Sequence, residues 1–263
     1  MLKTYTGPPG SGKTLNAMRN VAETLRRGRN VVSNMEIDLP SDLKKHEKRL
    51  HCVENEAITP RFLRDFAEKY HEPRREKQTL VVIDECQLKF SQTFMTKASA
   101  RPWMEFFSQH RKLGFDFLLV TPSARSGLVR DIRDVVEMEV KHLKMSNYPT
   151  KSIFLLLILL LIDLLPIEIF MSIAQWTGLK EKKYLIRRLF LYKPKYGKMY
   201  DTFKIYDVTA ESKKPTPAPI RAGEKIIAEL LAPPDGITWE RGGGDTARGG
   251  DPPRSRSDPL AGD

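Results

Sequence analysis

Gly7-Pro8-Pro9-Gly10-Ser11-Gly12-Lys13-Thr14 fills every fixed position of the pattern G-x-x-x-x-G-K-[ST]. Leu2–Thr6 before it reads as a short strand. A helix from about Lys13 to Arg27 follows, with Leu15, Met18, Val21, Ala22 and Leu25 on one side and Gly28 at its end. A strand, a glycine-rich turn and a helix are the setting in which this pattern cradles phosphate. Glycines let the backbone N–H groups curl around phosphate oxygens, and the positive end of the helix points at the same group. Gly7, Pro8, Pro9, Gly10, Ser11 and Gly12 would form the cradle. Lys13 would reach the outer phosphates of a bound ATP, and the Thr14 hydroxyl would ligate Mg²⁺.

A second stretch completes the expectation. Leu80-Val81-Val82-Ile83 runs apolar into Asp84-Glu85, as a buried parallel strand ending in two carboxylates would. If that strand lies beside the first, Asp84 can hold the Mg²⁺ shell and Glu85 can act as general base on the attacking water. The Asp-Glu pair favours hydrolysis over transfer to a small acceptor. Without the phosphate loop, a strand ending in two solvated acids would be an equal reading.

Working outward, residues 1–145 alternate strand and helix patterns. Strands are expected at Asn30–Ser33, Thr79–Ile83, Phe115–Val120 and Val135–Val140. Helices are expected at Pro60–Tyr70, Pro102–Lys112 and Ser126–Asp134. The alternation predicts an α/β fold, a P-loop NTPase with a mostly parallel sheet covered by helices. Arg111, Arg125, Arg130 and Arg133 are all candidates to reach a neighbouring subunit's phosphates, and nothing in the sequence chooses among them.

Beyond residue 145 the pattern breaks. Ile153 to Ile162 are apolar without interruption, while Asp163, Pro166 and Glu168 punctuate the continuation to Ala174. Three readings stand for 152–174: a transmembrane helix, an interfacial or re-entrant helix, and a buried or subunit-interface helix. Residues 184–208 suggest two strands around Lys195–Gly197. Residues 180–204 carry nine Lys/Arg, which would suit lipid headgroups or nucleic acid, with a simple solvated face as the alternative. Residues 211–263 contain eight Pro and eight Gly, a composition that disfavours a packed core, with one short helix expected at Glu224–Ala232. The domains expected are thus a P-loop ATPase domain over 1–145, an apolar segment with a basic β extension over 146–210, and a disordered tail over 211–263.

A formal charge of +11 favours anionic partners without choosing among them. The two cysteines, Cys52 and Cys86, make neither a disulfide framework nor a zinc site. No signal-like apolar region opens the sequence.

The ordered set of motifs resembles the zonula occludens toxin family, which includes the filamentous-phage assembly ATPases. The set is the phosphate loop, Gly28-Arg29-Asn30-Val31-Val32-Ser33-Asn34, Val82-Ile83-Asp84-Glu85-Cys86-Gln87, His110-Arg111-Lys112-Leu113-Gly114-Phe115-Asp116 and Tyr200-Asp201-Thr202-Phe203. The resemblance covers about residues 1–208. It implies an oligomeric, ATP-dependent factor for virion assembly and export at the inner membrane, with phage coat protein or virion DNA as partners. Lys13, Thr14, Asp84 and Glu85 inherit nucleotide, Mg²⁺ and hydrolytic roles by match, and His110 and Arg111 a weaker one. Where the family often has Gln after the strand ending near Thr121, this chain has Pro122, which lacks both a side-chain amide and a backbone N–H. Two other classes remain open: an AAA+-type loader or remodeller acting on DNA, and a membrane-docked nucleotide-binding scaffold with little turnover.

Overall fold

The computed structural model describes residues 1–147, 168–177 and 186–200. Eight strands form one sheet: β1 (Leu2–Thr6), β2 (Asn30–Ser33), β3 (Leu50–Cys52), β4 (Thr79–Ile83), β5 (Phe115–Val120), β6 (Met138–Lys144), β7 (Ile169–Trp176) and β8 (Ile186–Leu191). Their order is β3-β2-β4-β5-β1-β6-β7-β8. The first six pair in parallel, and β7 and β8 extend the sheet antiparallel. This α/β fold, with a mostly parallel sheet, is the one the phosphate loop and the strand–helix alternation predict.

Alternation along the strands sorts their side chains into two cores. Tyr5, Val31, Val82, Leu118 and Val140 face α1 (Lys13–Arg26) and Leu43 of the 3-10 helix Ser41–Arg49. Leu2, Val32, Ile83, Phe117 and Leu119 face the other way, towards α2 (Pro60–Tyr70) and α4 (Lys97–Gln109). Around them lie the short helices α3 (Gln87–Phe90), α5 (Ala124–Gly127) and α6 (Arg130–Asp134). Each large apolar side chain fully buried this way contributes about 2 kcal/mol. α2 starts where Thr59 accepts from the Phe62 amide and Pro60 follows the cap. α4 starts one turn before Pro102, because Thr96 and Ser99 form a reciprocal capping box.

Four expectations are corrected. β4 does not lie beside β1: β5 stands between them, because sequence order does not dictate strand order. The helix expected through Ala174 fails at its far end, since Ile169–Trp176 is β7, paired with both β6 and β8. Most of the apolar stretch lies outside the described residues, and among those described no helix is long and apolar enough to cross a membrane. The partner of the strand expected after residue 184 is β7, and the turn expected at Lys195–Gly197 is a helix, α7 (Pro194–Gly197). Ser126–Asp134 is two helices rather than one, because Leu128 and Val129 are extended and the Val129 amide donates to Phe90 O. The second strand of 184–208, the tail and its short helix lie outside the described residues.

Candidate functional site

The parallel strands end together at one edge of the sheet, and the phosphate loop leaves β1 there. Gly7, Gly10 and Gly12 take φ of +142°, +70° and +86°, backbone that side chains with a Cβ resist. Gly7 and Gly12 have a second reason. A Cβ on Gly7 would stand 2.4 Å from His142 O, and one on Gly12 would stand 2.8 Å from the Phe170 ring. The loop is therefore seated against β6 and β7. Pro122 holds it too: its carbonyl accepts from the Gly7 amide at 3.1 Å, a task that needs neither group proline lacks.

Gly12 caps α1 without a side-chain hydrogen bond, so the first amides of the helix remain for a ligand. Lys13 Nζ donates to Gly7 O at 2.9 Å and Pro8 O at 3.1 Å, which folds the ammonium over the loop. Burial lowers its pKa, against the carboxylates of Glu85 and Asp84, which raise it. The buried Ser11 Oγ has no partner among the described residues.

Asp84 follows β4 on the far side of β5, and still belongs to the same site. Its carboxyl is pushed up to about 6, first by burial and then by the charge of Glu85; Lys13 and the hydroxyl of Thr14 act the other way. Asp84 Oδ1 is buried with no hydrogen-bond partner among the described residues. A buried carboxylate with a free oxygen beside a threonine hydroxyl and a lysine fits a divalent cation carried by phosphate. Glu85 stands at φ +47°, a left-handed conformation that costs a residue with a Cβ about 1 kcal/mol. Its carboxylate accepts a hydrogen bond from Gln87 Nε2.

Several contributors were not legible in the sequence. Asn34, just past β2, closes a double hydrogen bond with the backbone of Asp84: the Asp84 amide donates to Oδ1 and Asn34 Nδ2 donates to Asp84 O, both at 2.8 Å. The side chain thus continues the β2–β4 ladder one position beyond Ser33↔Val82. The sequence signalled it only as the last residue of the Gly28–Asn34 motif at the end of a strand, with no role attached. His142 is fully buried beneath the loop. Nδ1 lies 3.1 Å from Val140 O and Nε2 accepts from Asn16 Nδ2 at 2.9 Å, the pattern of a neutral ring protonated on Nδ1. Burial lowers its pKa to about 4. Phe170, against Gly12, stacks on Phe190 at 5.5 Å, which ties β7 and β8 to the loop.

The arginine candidates and the His110–Asp116 stretch divide between the two ends of the sheet. Arg125 and Arg133 line a cavity bordering Gly7 and Pro8. Arg130 pairs with Asp134 at 3.6 Å. His110 and Arg111 precede β5 and so lie at the opposite end of the sheet from the phosphate loop. His110 is buried and bonds Phe107 O, and Arg111 pairs with Glu76. Asp116 binds Arg29 at 2.7 Å, so two motif stretches meet at that end in a structural contact.

The strand order and the phosphate loop define a P-loop NTPase fold. The chain belongs to the zonular occludens toxin (Zot) family, whose model matches residues 1–151. Among solved structures it is similar to the ATPase domain of G40P, with 10% identity, a TM-score of 0.46 and coverage of 76% of this chain and 84% of that one. It is also similar to the genome packaging NTPase B204 from Sulfolobus turreted icosahedral virus 2 in complex with ATP-gammaS, with 12% identity, a TM-score of 0.42 and coverage of 73% and 95%. A third likeness is to the pCW3 conjugation coupling protein TcpA with ATPgS, at 14% identity and a TM-score of 0.38 over 53% of this chain; the chain spans about half of TcpA, 48%. At these identities and scores the likenesses assign no residue a role. A comparison with curated proteins gives no match.

Proposed function

We propose that the protein binds and hydrolyses ATP, and that hydrolysis drives virion assembly and export of the filamentous-phage type at the inner membrane. The observation that carries the first half is Asp84 Oδ1, without a partner among the described residues and buried beside Thr14 and the Lys13-bearing loop. Lys13 would exchange its loop carbonyls for phosphate oxygens, and the free amides at the start of α1 would hold the same phosphates. Thr14 and Asp84 would hold Mg²⁺, whose chemistry there is to neutralise charge on the phosphates. Glu85 would take a proton from the attacking water once its carboxylate leaves Gln87. Family membership supports the second half. Oligomerisation and contact with coat protein or virion DNA belong to the same reading.

Two measurements test the hydrolysis and the membrane attachment in this reading. Steady-state ATPase is measured on the intact protein, Lys13→Ala and Glu85→Gln with membranes present, and membranes from expressing cells are separately extracted with alkaline carbonate. Both variants should fall to background, with the protein staying in the membrane pellet. A wild-type rate no higher than that of Lys13→Ala sinks the motor. Release of the full-length protein by carbonate sinks an integral membrane attachment. The Glu85–Gln87 hydrogen bond favours one second reading, a nucleotide-binding scaffold with little turnover, for which nucleotide would bind without a rate.

A further inference from the structure

Beside the phosphate loop lies a cavity of about 630 Å³, on the sheet face away from α1, with Gly7 and Pro8 as one wall. Three cations converge on it: Arg125, Arg133 and Lys141. Arg133 Nη1 donates to Arg125 O at 3.0 Å, which fixes the guanidinium. Among the described residues no carboxylate pairs with any of the three. The one acid in the lining, Glu139, accepts from Thr6 Oγ1 at 3.0 Å instead. Cations left without counter-charge around a cavity favour an anionic ligand.

The sheet register extends this charge beyond the cavity. Lys141 on β6 stands opposite Ile173 on β7, and Ile173 stands opposite Arg187 on β8. Cross-strand partners share a face, so Arg187 continues the basic row on the cavity's side, flanking the apolar Ile173. Lys141 and Arg187 are two strands apart, about 10 Å, too far for one phosphate group to bridge. A row of cations with apolar surface between them suits a strand whose phosphates meet the cations while its bases lie on apolar side chains.

We propose that this cavity and the row Lys141–Ile173–Arg187 bind the sugar-phosphate backbone of single-stranded nucleic acid, at a site separate from the phosphate loop but sharing its Gly7–Pro8 wall. Through that wall, occupation of one site would bear on the other.

The probe is a fluorescein-labelled oligothymidylate of about 20 nucleotides, followed by anisotropy on the full chain over a salt series. The variants are Arg133→Ala/Lys141→Ala and Arg187→Ala, with Lys44→Ala/Lys45→Ala on the 3-10 helix as a control for general charge. ATP affinity, measured separately by calorimetry, checks that each variant is folded. The cavity double variant should bind the oligonucleotide at least about tenfold more weakly, with a salt slope smaller by about 2, one for each cation removed from a phosphate. Arg187→Ala should lower the slope by about 1, while the control and Lys13→Ala stay within about twofold of wild type. Equal losses in the Lys44/Lys45 control, or no loss in the cavity variants, overturn the site. Loss of ATP binding in the cavity variants with oligonucleotide binding intact would make the cavity part of the nucleotide site and overturn the proposal. Failure of the phosphate-loop reading is separate: it would show as ATP affinity unchanged by Lys13→Ala.

Discussion

Replacing Asp84 by Asn should make the protein more stable while removing its metal-dependent activity. The magnitude follows from the carboxyl's surroundings. Burial and the neighbouring Glu85 raise its pKa from 3.8 to about 6. Between about pH 4 and pH 6 the native state therefore keeps a proton that the unfolded chain has released. Native stability falls as pH rises through that window and stays lower above it. At about 1.4 kcal/mol per pKa unit, the ionised carboxylate costs the fold on the order of 3 kcal/mol near pH 7. An amide carries no such charge, but it too finds few partners at a site where Oδ1 has none. The expected gain for Asp84→Asn is therefore about 1–3 kcal/mol near pH 7, shrinking towards zero near pH 4. His51 and His142, both lowered to about 4 by burial, act with the opposite sign. They give stability that is present above the ordinary histidine pKa and lost as pH falls towards 4. Both are present in wild type and variant, so the difference between the two proteins isolates Asp84. The assay is urea unfolding followed by circular dichroism from pH 4 to pH 8, in EDTA and without nucleotide. An Asp84→Asn protein no more stable than wild type near pH 7, or a gain that does not change with pH, would refute the reasoning.

Two further outcomes are expected. Asn34→Ala leaves both the amide and the carbonyl of Asp84 without their 2.8 Å partners, which should cost about 1–3 kcal/mol in urea unfolding. It should also lower the ATPase rate more than it weakens nucleotide binding, and a rate equal to wild type would show that Asn34 does not position the carboxylates. Gly12→Ala meets both a left-handed backbone and the Phe170 ring at 2.8 Å, whereas Gly10→Ala meets only its φ of +70°, with nothing within 4 Å. Thermal unfolding should therefore rank Gly12→Ala below Gly10→Ala, which should lose about 1 kcal/mol; equal losses would mean that Phe170 does not support the loop.

What the sequence made legible was what backbone sterics and local pattern determine. The glycines of the phosphate loop are required by φ values that are visible as residue types, and the strands Leu2–Thr6, Asn30–Ser33, Thr79–Ile83 and Phe115–Val120 stand where their apolar runs end. Strand order was hidden, because nothing in Leu80–Asp84 records that β5 will insert between it and β1. β7 was hidden for a different reason. Phe170, Met171 and Ser172 are consecutive and all buried, so the strand has neighbours on both faces and loses the alternation that marks a half-exposed strand. Asn34 was illegible as a site residue because its side chain does the work of backbone, filling one rung of a ladder with an amide.

Unfavourable features gather at the phosphate-loop end of the sheet. Asp84 is buried beside a like charge, Glu85 sits at φ +47°, and Ser11 Oγ and Asp84 Oδ1 are buried without partners among the described residues. They are not the only ones among the described residues, since both ring nitrogens of His51 and the hydroxyl of Thr4 are buried without partners as well, but at the phosphate loop they stand beside a buried carboxylate pair. Local destabilisation at that end is what a ligand can reverse, because anything that binds the native state alone adds stability that rises with the logarithm of its concentration over its dissociation constant. A cation taking the free oxygen of Asp84 would pull its pKa back down and remove the cost of its ionisation. Mg²⁺ and nucleotide should therefore stabilise wild type more than Asp84→Asn at the same ligand concentration, by an amount that grows with that concentration.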